Sequence, residues 1–258
     1  MRRTQARRLP VRLLIVLAVA AVLAGCGAST LPNVRSNTER LATAKRLIAQ
    51  KRWVSAIDVL KDHVQTGAGS ADIDEAIYLL GYSYLGNKDW ALAANEFERL
   101  VRDYPESDST PSASFRLGEA WYGQARPPDF DQEFTTKALA QWRNYHDTYP
   151  DHWLIPEADR RIAEARNRLA IKIMNNAYLY MTLKLPGPAR VYYDQVVNDY
   201  SETPIVGYAK IGQAQADAMM LKRDEAIARL KEVEASYAGK PEAERARHER
   251  LRLQHQLN

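Results

Sequence analysis

Cysteine is almost absent from this sequence of 258 residues, because Cys26 is its only cysteine. A single thiol cannot form a disulfide within the chain or build a multi-cysteine zinc site. The five histidines are scattered, and none belongs to a His-Glu-x-x-His zinc motif. The sequence also lacks a nucleophile elbow, a Ser/His/Asp order and a phosphate-binding loop. These absences argue against an enzyme and predict no metal or other cofactor.

A long apolar run is missing as well. The apolar stretch from Leu13 to Ala24 has 12 residues, whereas a membrane-spanning helix needs about 20. Five arginines and no acidic residue precede it, which is the layout of a secretory signal. The stretch ends in Leu-Ala-Gly-Cys, where small residues fit a peptidase cleft and the thiol of Cys26 can be alkylated by lipid. We predict a lipoprotein signal peptide over 1–25 and lipidation at Cys26; the alternative is an ordinary signal peptide with a chance cysteine.

The excess of positive charge belongs to that signal. The whole chain has a formal charge of +4, but five of its 36 Lys+Arg lie before Cys26, which leaves 31 against 32 Asp+Glu. The charge therefore gives no indication of nucleic-acid binding. Residues 26–37 are small and polar with one proline, which predicts a flexible tether before a folded domain over 38–258.

Strand signals are weak, and an internal repeat dominates the rest of the chain. Leu80-Gly81 matches Leu117-Gly118, and Tyr104-Pro105 matches Tyr149-Pro150. The pattern resembles the tetratricopeptide repeat, a helix–turn–helix unit of 34 residues. It predicts an all-α tetratricopeptide-repeat solenoid of about five helix pairs with a C-terminal capping helix. In each second helix, an alanine is the first residue of the face that packs on the partner helix. These alanines are Ala56, Ala93, Ala138, Ala189 and Ala226.

The predicted units cover 38–68, 71–105, 111–150, 155–201 and 204–238, and the cap covers 241–258. Unit three holds an insertion over 124–133, for which a solvated loop is favoured over a calcium site built from Asp129, Asp131 and Glu133. Unit four begins with a long helix over 157–183, and its turn contains Pro186-Gly187-Pro188. His63 is predicted to pack or to cap a helix. Four arginines of the long helix are expected to face solvent: Arg160, Arg161, Arg166 and Arg168.

The first helix of each repeat lines a concave face, so the residues around its small packing position predict a binding groove. These residues are aromatic and apolar with a few charges, which suits an extended peptide. The alternative is that individual tyrosines only pack between units. The predicted groove comprises Lys45, Ile48, Tyr78, Tyr82, Leu85, Phe115, Glu119 and Tyr122. The same rule also selects Leu41 in unit one and Met174, Tyr178 and Met181 in unit four.

Beyond the repeat, the chain resembles the BamD family, the repeat lipoproteins of the outer-membrane β-barrel assembly machine. The lipobox, the short tether, five repeats and Tyr-Pro helix ends carry this resemblance. Two stretches are more specific than the repeats: DFDQEFTTKALAQWRNYHDTYPDH in unit three and EADRRIAEARNRLA before unit four. Units one, four and five depart from the family pattern because they lack a terminal Tyr-Pro.

The resemblance implies an outer-membrane lipoprotein, anchored on the periplasmic face, that acts as a scaffold and not as an enzyme. It implies three kinds of partner: the central β-barrel assembly protein, other assembly-machine lipoproteins and unfolded outer-membrane proteins. The N-terminal repeats would hold the C-terminal strand of a client protein. An alternative function is a repeat lipoprotein that serves cell-wall, Tol–Pal, secretion or pilus machinery.

Overall fold

The computed structural model describes residues 36–255, and this part of the chain contains eleven helices and no strand. The signal peptide, the lipidation site Cys26 and the tether as far as residue 35 lie outside the described residues. Ser36 and Asn37, the last two residues of the predicted tether, form the N-cap and first residue of the first helix. None of the helices in this range is long and apolar enough to cross a bilayer.

The helices form five consecutive pairs followed by one more helix, and the pairs correspond to the five predicted units. The bounds are α1 Asn37–Ala49, α2 Trp53–Thr66, α3 Ile73–Asn87, α4 Trp90–Asp103, α5 Thr110–Gly123, α6 Glu133–Thr148, α7 Ile155–Thr182, α8 Pro186–Asp199, α9 Val206–Met219, α10 Arg223–Ser236 and α11 Pro241–His255.

Each helix packs chiefly against its neighbours in sequence, with weaker contacts joining α1 to α3, α3 to α5 and α9 to α11. Stacking in which each unit touches only its neighbours defines a solenoid. The predicted all-α tetratricopeptide-repeat solenoid is therefore confirmed. Turns within the pairs (50–52, 88–89, 124–132, 183–185 and 220–222) lie on one side, which we call the hairpin edge. Connections between pairs (67–72, 104–109, 149–154, 200–205 and 237–240) lie on the other, the linker edge.

Small residues let the two helices of a pair approach closely. A Cβ on Gly81 would lie 2.8 Å from the ring of Phe97, and a Cβ on Gly118 would collide with the indole of Trp142. Phe97 and Trp142 are fully buried. The glycines therefore give the aromatic rings the space that a side chain would fill. The alanines that open the second helices are likewise fully buried at Ala56, Ala93, Ala138, Ala189 and Ala226.

The helix ends show how local sequence places the turns. Ser36 and Glu39 form a reciprocal capping box at the start of α1. Pro186 is the first residue of α8, and Gly187 and Pro188 lie in its first turn, so the prediction that they form the turn is wrong. Proline is favoured at a first helical position because the N–H it lacks would have no intrahelical partner there.

His63 has the structural role that the sequence predicts. Its side chain is fully buried in α2, and Nε2 lies 3.3 Å from Oδ1 of Asp72, the residue that precedes α3. Burial raises the pKa of Asp72, but hydrogen bonds from Ser70 and its own backbone, with the nearby His63, outweigh it and lower the pKa overall. The contact between His63 and Asp72 therefore connects the first helix pair to the second.

Three of the four arginines of α7 are partly buried and contact other elements, which differs from the expectation that they face solvent. Arg161 contacts Glu119, Arg166 contacts Glu202, and Arg168 donates to the carbonyl of Ala125 and to Oε1 of Gln132. Only Arg160 fits the expectation that these side chains face solvent. It is half-exposed, and its partners are glutamates of its own helix. The extra length of α7 reaches the insertion and the next linker, so its arginines find partners there.

The insertion is largely exposed, in agreement with the expectation of a solvated loop, and hydrogen bonds also attach it to α7. Lys172 donates to the carbonyl of Asp129 at 2.8 Å, and Asn175 donates to its carboxylate at 2.7 Å. The buried amide of Gln132 also donates to carbonyls of the insertion. Within residues 36–255, no group of acidic residues, histidines or cysteines is arranged to hold a metal ion.

The last helix covers the end of the solenoid. Ala246 and Leu253 of α11 are buried against the core that Ile211 and Leu230 form. The rest of α11 is rich in charged residues, several of them exposed. A terminal repeat needs such a helix, because its apolar face has no further unit to cover it.

Candidate peptide-binding site

A pocket of about 370 Å³ lies between the helices of units one to three and the first part of α7. It brings together four of the predicted groove residues, two from α3 and two from α5: Tyr82, Leu85, Glu119 and Tyr122. They meet because α3 and α5 are first helices of adjacent pairs, so equivalent positions project to the same face. The remaining lining residues are Trp53, Gly86, Trp90, Arg116, Gly123, Trp142 and Arg161.

Two tryptophans that the sequence analysis did not select form part of the wall. A Cβ on Gly86 would lie 2.6 Å from the indole of Trp53, and a Cβ on Gly123 would lie 2.5 Å from that of Trp90. Each tryptophan starts the second helix of one unit and packs on the glycine near the end of the next unit's first helix. The glycines therefore allow the indoles to lie flat against the helix backbone.

The repeat contained a signal for these residues. Trp53 and Trp90 each precede the packing alanine of their helix by three positions. Gly86 and Gly123 each follow the packing glycine of their helix by five positions. Both pairs recur at the spacing that separates Gly81 from Gly118, so aligning second helices as closely as first helices would have identified them.

The aromatic walls contact one another and leave ring surface at the opening. Trp53 meets Tyr82 edge to face at 6.1 Å between ring centroids, and Tyr78 stacks on Tyr82 at 6.3 Å. Tyr122 tilts against the buried Trp142 at 5.6 Å. Burial raises the pKa of Tyr78, so its hydroxyl stays protonated at neutral pH. Such rings offer apolar area and fixed geometry to a ligand.

A charged group forms the floor. Glu119 accepts from Arg116 at 2.5 Å and from Arg161 at 2.9 Å, and its side chain is only 12% exposed. Arg161 also contacts Glu157 and Glu164 of its own helix, outside the lining. The Arg116 guanidinium lies over the Tyr82 ring at 5.5 Å. Within the lining itself, two guanidinium groups face one carboxylate, while Glu157 and Glu164 offset part of the charge of Arg161 from outside it.

The other predicted groove residues do not join the pocket. Phe115 is fully buried, with its ring centroid 5.6 Å from that of Tyr145, so its prediction as a groove residue is wrong. The aromatic residues of α6 cover it completely. Lys45 pairs with Glu75 at 2.6 Å, and Ile48 packs on the core of the first two units. Of the further positions selected by the same rule, Leu41 and Met174 are buried, and Tyr178 and Met181 lie in unit four.

The C-terminal units hold a different polar arrangement. Asp217 is 2% exposed and contacts Arg190 at 3.4 Å and Arg229 at 3.2 Å. The buried Gln213 accepts from Arg229 and donates to Asp194. These residues join α8, α9 and α10. Because the carboxylate is enclosed between its partners, this network serves cohesion between units.

Comparison with known proteins finds similarity to outer membrane proteins. The family model described as the outer membrane lipoprotein YfiO matches residues 35–226. The outer membrane protein assembly factor BamD of Caulobacter vibrioides is 26% identical over 162 residues, which cover 60% of this chain and 53% of that protein. The chain thus spans about half the length of that relative.

Two solved helical-repeat structures are also similar. The TPR2AB domain of yeast Sti1 in its complex with pHSP90 is 12% identical with a TM-score of 0.43, covering 76% of each chain. A thermophilic TPR protein of Thermus thermophilus is 15% identical with a TM-score of 0.38, covering 84% of this chain and 98% of that one. Because both scores are low, the fold is assigned from the helix pairs described above. Since the family match includes most of the chain and every residue of the pocket, the chain belongs to the YfiO family of outer membrane lipoproteins.

Proposed function

We propose that this protein is a lipid-anchored scaffold in the assembly of outer-membrane β-barrel proteins and that its pocket binds the C-terminal segment of a client chain. Membership of an outer membrane lipoprotein family and similarity to an assembly factor support the first part. The pocket of units one to three supports the second. Both the family and the repeat fold are of the protein-interaction type, and the proposal assigns the protein no catalytic role.

The observation that carries the peptide proposal is the combination of aromatic walls with two arginines at one opening. Trp53, Tyr82 and Tyr122 offer ring faces and edges for an aromatic or aliphatic side chain. Arg116 and Arg161 offer guanidinium groups that bind carboxylates in a fixed geometry. A segment that ends in an apolar side chain followed by its free carboxylate has the matching chemistry. An extended strand in an unfolded client presents both at its end.

Anchoring would keep this pocket near the membrane. Lipid on Cys26 and the following tether would hold the solenoid at the periplasmic face of the outer membrane. The C-terminal units would then bind the central barrel component of the machine, with other assembly lipoproteins attached to the complex. Division of the two tasks between the two ends is consistent with the different surfaces of the N-terminal and C-terminal units.

A double variant tests the pocket. Tyr82→Ala with Tyr122→Ala removes two walls and should weaken binding of a peptide from the C-terminal strand of a barrel protein by about 30-fold, or about 2 kcal/mol. Fluorescence anisotropy measures the affinity, and circular dichroism checks that the fold persists. Tyr178→Ala is the matched control, because Tyr178 has the repeat position of Tyr82 but lies in unit four. Unchanged peptide affinity in the folded double variant would contradict the pocket assignment.

Purification tests the wider assignment. A C-terminally tagged protein from detergent-solubilised membranes should bring with it a barrel protein that carries periplasmic domains. Mass spectrometry identifies the associated chains and their stoichiometry. Stable association with wall enzymes, Tol–Pal components, or secretion or pilus subunits in place of that barrel would assign the scaffold to another machine.

A further inference from the structure

The two edges of the solenoid differ in where they expose apolar side chains. Twelve large hydrophobic residues are exposed in the range 36–255, and eight of them lie within one helical turn of the hairpin edge. The linker edge has one, Trp153. The same helices form both edges, so an even distribution of exposed apolar residues would give the two edges similar numbers. The eight residues are Val54, Leu92, Phe130, Leu179, Leu183, Leu185, Met219 and Leu221.

Basic residues accompany the apolar ones at every turn of the hairpin edge. Lys51 and Arg52 are followed by Val54, and Lys88 is followed by Leu92. In the insertion, the Arg126 guanidinium lies 3.9 Å from the Phe130 ring centroid. The last two turns read Leu-Lys-Leu around Lys184 and Leu-Lys at Lys222. Acidic residues of this edge are Asp89, Asp129 and Asp131, while Glu133 follows the insertion turn and Asp224 and Glu225 follow the last turn.

The linker edge has the opposite character. Its connections carry acidic residues in all but the last, where Lys240 is basic. The two edges therefore differ in charge as well as in the number of exposed apolar residues. Helix N-termini and helix C-termini occur at both edges. The acidic residues of the linker edge are Asp72, Glu106, Asp108, Asp151 and Glu202.

Backbone conformation places these side chains at the tips of the turns. Outside glycine, positive φ angles occur in the described range at Lys51, Lys88, Lys184 and Leu221, each in a turn of the hairpin edge. Glycine or asparagine adopts this left-handed conformation with least strain. Lysine occupies three of these positions, and the fourth is a leucine that is 92% exposed. The strained positions thus carry the long basic and apolar side chains that project from the edge.

We propose that the hairpin edge, led by its last two turns, lies against the anionic phospholipid surface of the membrane. Single leucines on projecting turns can enter the boundary between headgroups and acyl chains. Neighbouring lysines can extend their ammonium groups to lipid phosphates while their stems cover apolar surface. Contacts of this kind are individually weak, and they act together when the protein is already held at the membrane. The inference therefore rests on the proposed lipid anchor.

The length of the chain before α1 is compatible with this orientation. Helix α1 begins at the linker edge, because its far end leads into the first hairpin turn. Its 13 residues rise by about 20 Å. Ten peptide steps separate Cys26 from Ser36, and a chain of that length can span up to about 33–36 Å. A lipid on Cys26 can therefore be in the bilayer while the hairpin edge faces it.

Fluorescence quenching in vesicles tests the orientation. Leu221→Cys and Trp153→Cys each introduce one thiol that carries a fluorescent probe, the first on the hairpin edge and the second on the linker edge. In both proteins lipid occupies the Cys26 thiol, so only the introduced cysteine is labelled. Each lipidated protein is reconstituted in vesicles of phosphatidylethanolamine and phosphatidylglycerol that contain a nitroxide-labelled phospholipid. We expect quenching at position 221 to exceed that at position 153 by about threefold. Lys184→Glu with Lys222→Glu should reduce this difference, whereas Lys240→Glu on the linker edge should leave it unchanged.

Two outcomes separate the inference from the anchor on which it rests. Equal quenching at positions 221 and 153 in lipidated protein would overturn the membrane-facing edge and would favour a protein partner for these turns. The intact mass of the unsubstituted mature protein reports the anchor separately. A mass without lipid on Cys26 would contradict the proposed anchoring and, with it, this orientation.

Discussion

The first two helix pairs and the last two use one repeat position differently. Three residues before the packing alanine of the second helix, units one and two have Trp53 and Trp90, whereas units four and five have Pro186 and Arg223. The tryptophans pack on glycines and line an open pocket. The proline starts its helix and provides no aromatic ring for such a wall. The same backbone repeat can therefore support a binding pocket or a closed interface, depending on a few side chains.

The charged groups of the pocket and those of the C-terminal units also differ in how open they are. Around the pocket, Glu119, Arg116 and Arg161 of α7 lie at the floor of an opening. In the C-terminal half, Asp217 is enclosed between Arg190 and Arg229. A charge at an opening can exchange its partner for a ligand, whereas an enclosed charge depends on the partners it has. We therefore expect polar substitutions to change binding at the pocket and stability in the C-terminal units.

The largest expected effect is on stability, at the buried carboxylate. Asp217→Ala leaves Arg190 and Arg229 without their shared partner and should lower the free energy of unfolding by about 3 kcal/mol. Urea unfolding followed by circular dichroism measures the change. Asp194→Asn is the control, because it removes a partly exposed charge that pairs with Arg190 and keeps an oxygen acceptor for Gln213, so the loss should be less than about 1 kcal/mol. Equal losses in the two variants would remove the distinction between enclosed and open charges.

Glycine substitutions test which close contacts belong to the pocket. Gly81→Leu and Gly212→Ala place side-chain atoms against Phe97 and Tyr193 respectively, and each should destabilise the fold by about 1–3 kcal/mol through overpacking. Gly86→Ala should also displace Trp53 and weaken peptide binding, whereas Gly212→Ala should leave peptide affinity intact. Thermal unfolding and anisotropy measure the two properties. An unshifted midpoint in Gly81→Leu would contradict the helix register.

A smaller effect is expected on ligand charge. Arg116→Gln should weaken binding of a peptide with a free C-terminal carboxylate by about tenfold, or about 1.4 kcal/mol. The same variant should bind the C-terminally amidated peptide as the unsubstituted protein does. Arg160→Gln is the matched control, since Arg160 lies outside the pocket lining. If the Arg116 variant loses both peptides equally, the pocket recognises side chains and not the chain terminus.

The smallest expected effect concerns the contact between His63 of unit one and Asp72 of unit two. The pKa of Asp72 is lowered below 3.8 in the folded protein, so its ionised form contributes stability above that pH. The contribution is lost as pH falls through the lowered pKa. Asp72→Asn should therefore cost below about 1 kcal/mol at pH 6 and less than that at pH 3. Urea unfolding at the two pH values checks this; a difference that grows at pH 3 would reverse the assigned sign.

Repeat positions allowed much of the candidate site to be predicted. Tyr82, Leu85, Glu119 and Tyr122 follow from their distance to Gly81 and Gly118, because helical periodicity determines the face on which they lie. The rule was wrong for Phe115. Its position within α5 was placed correctly, but the rings of Trp142 and Tyr145 on α6 cover it. Periodicity within one helix gives no information about the size of the residues on the next.

The sequence by itself determined the helices, their pairing and the repeat register, since these depend on local propensity and on contacts between neighbours in the chain. It also defined the signal and the lipidation site that we predict. Only the tertiary structure decided which predicted groove residues remain accessible, where the arginines of α7 find partners, and how Trp53 and Trp90 join residues of the next unit in one pocket. Those outcomes depend on side-chain volume and on distances between residues far apart in sequence, which local periodicity does not encode.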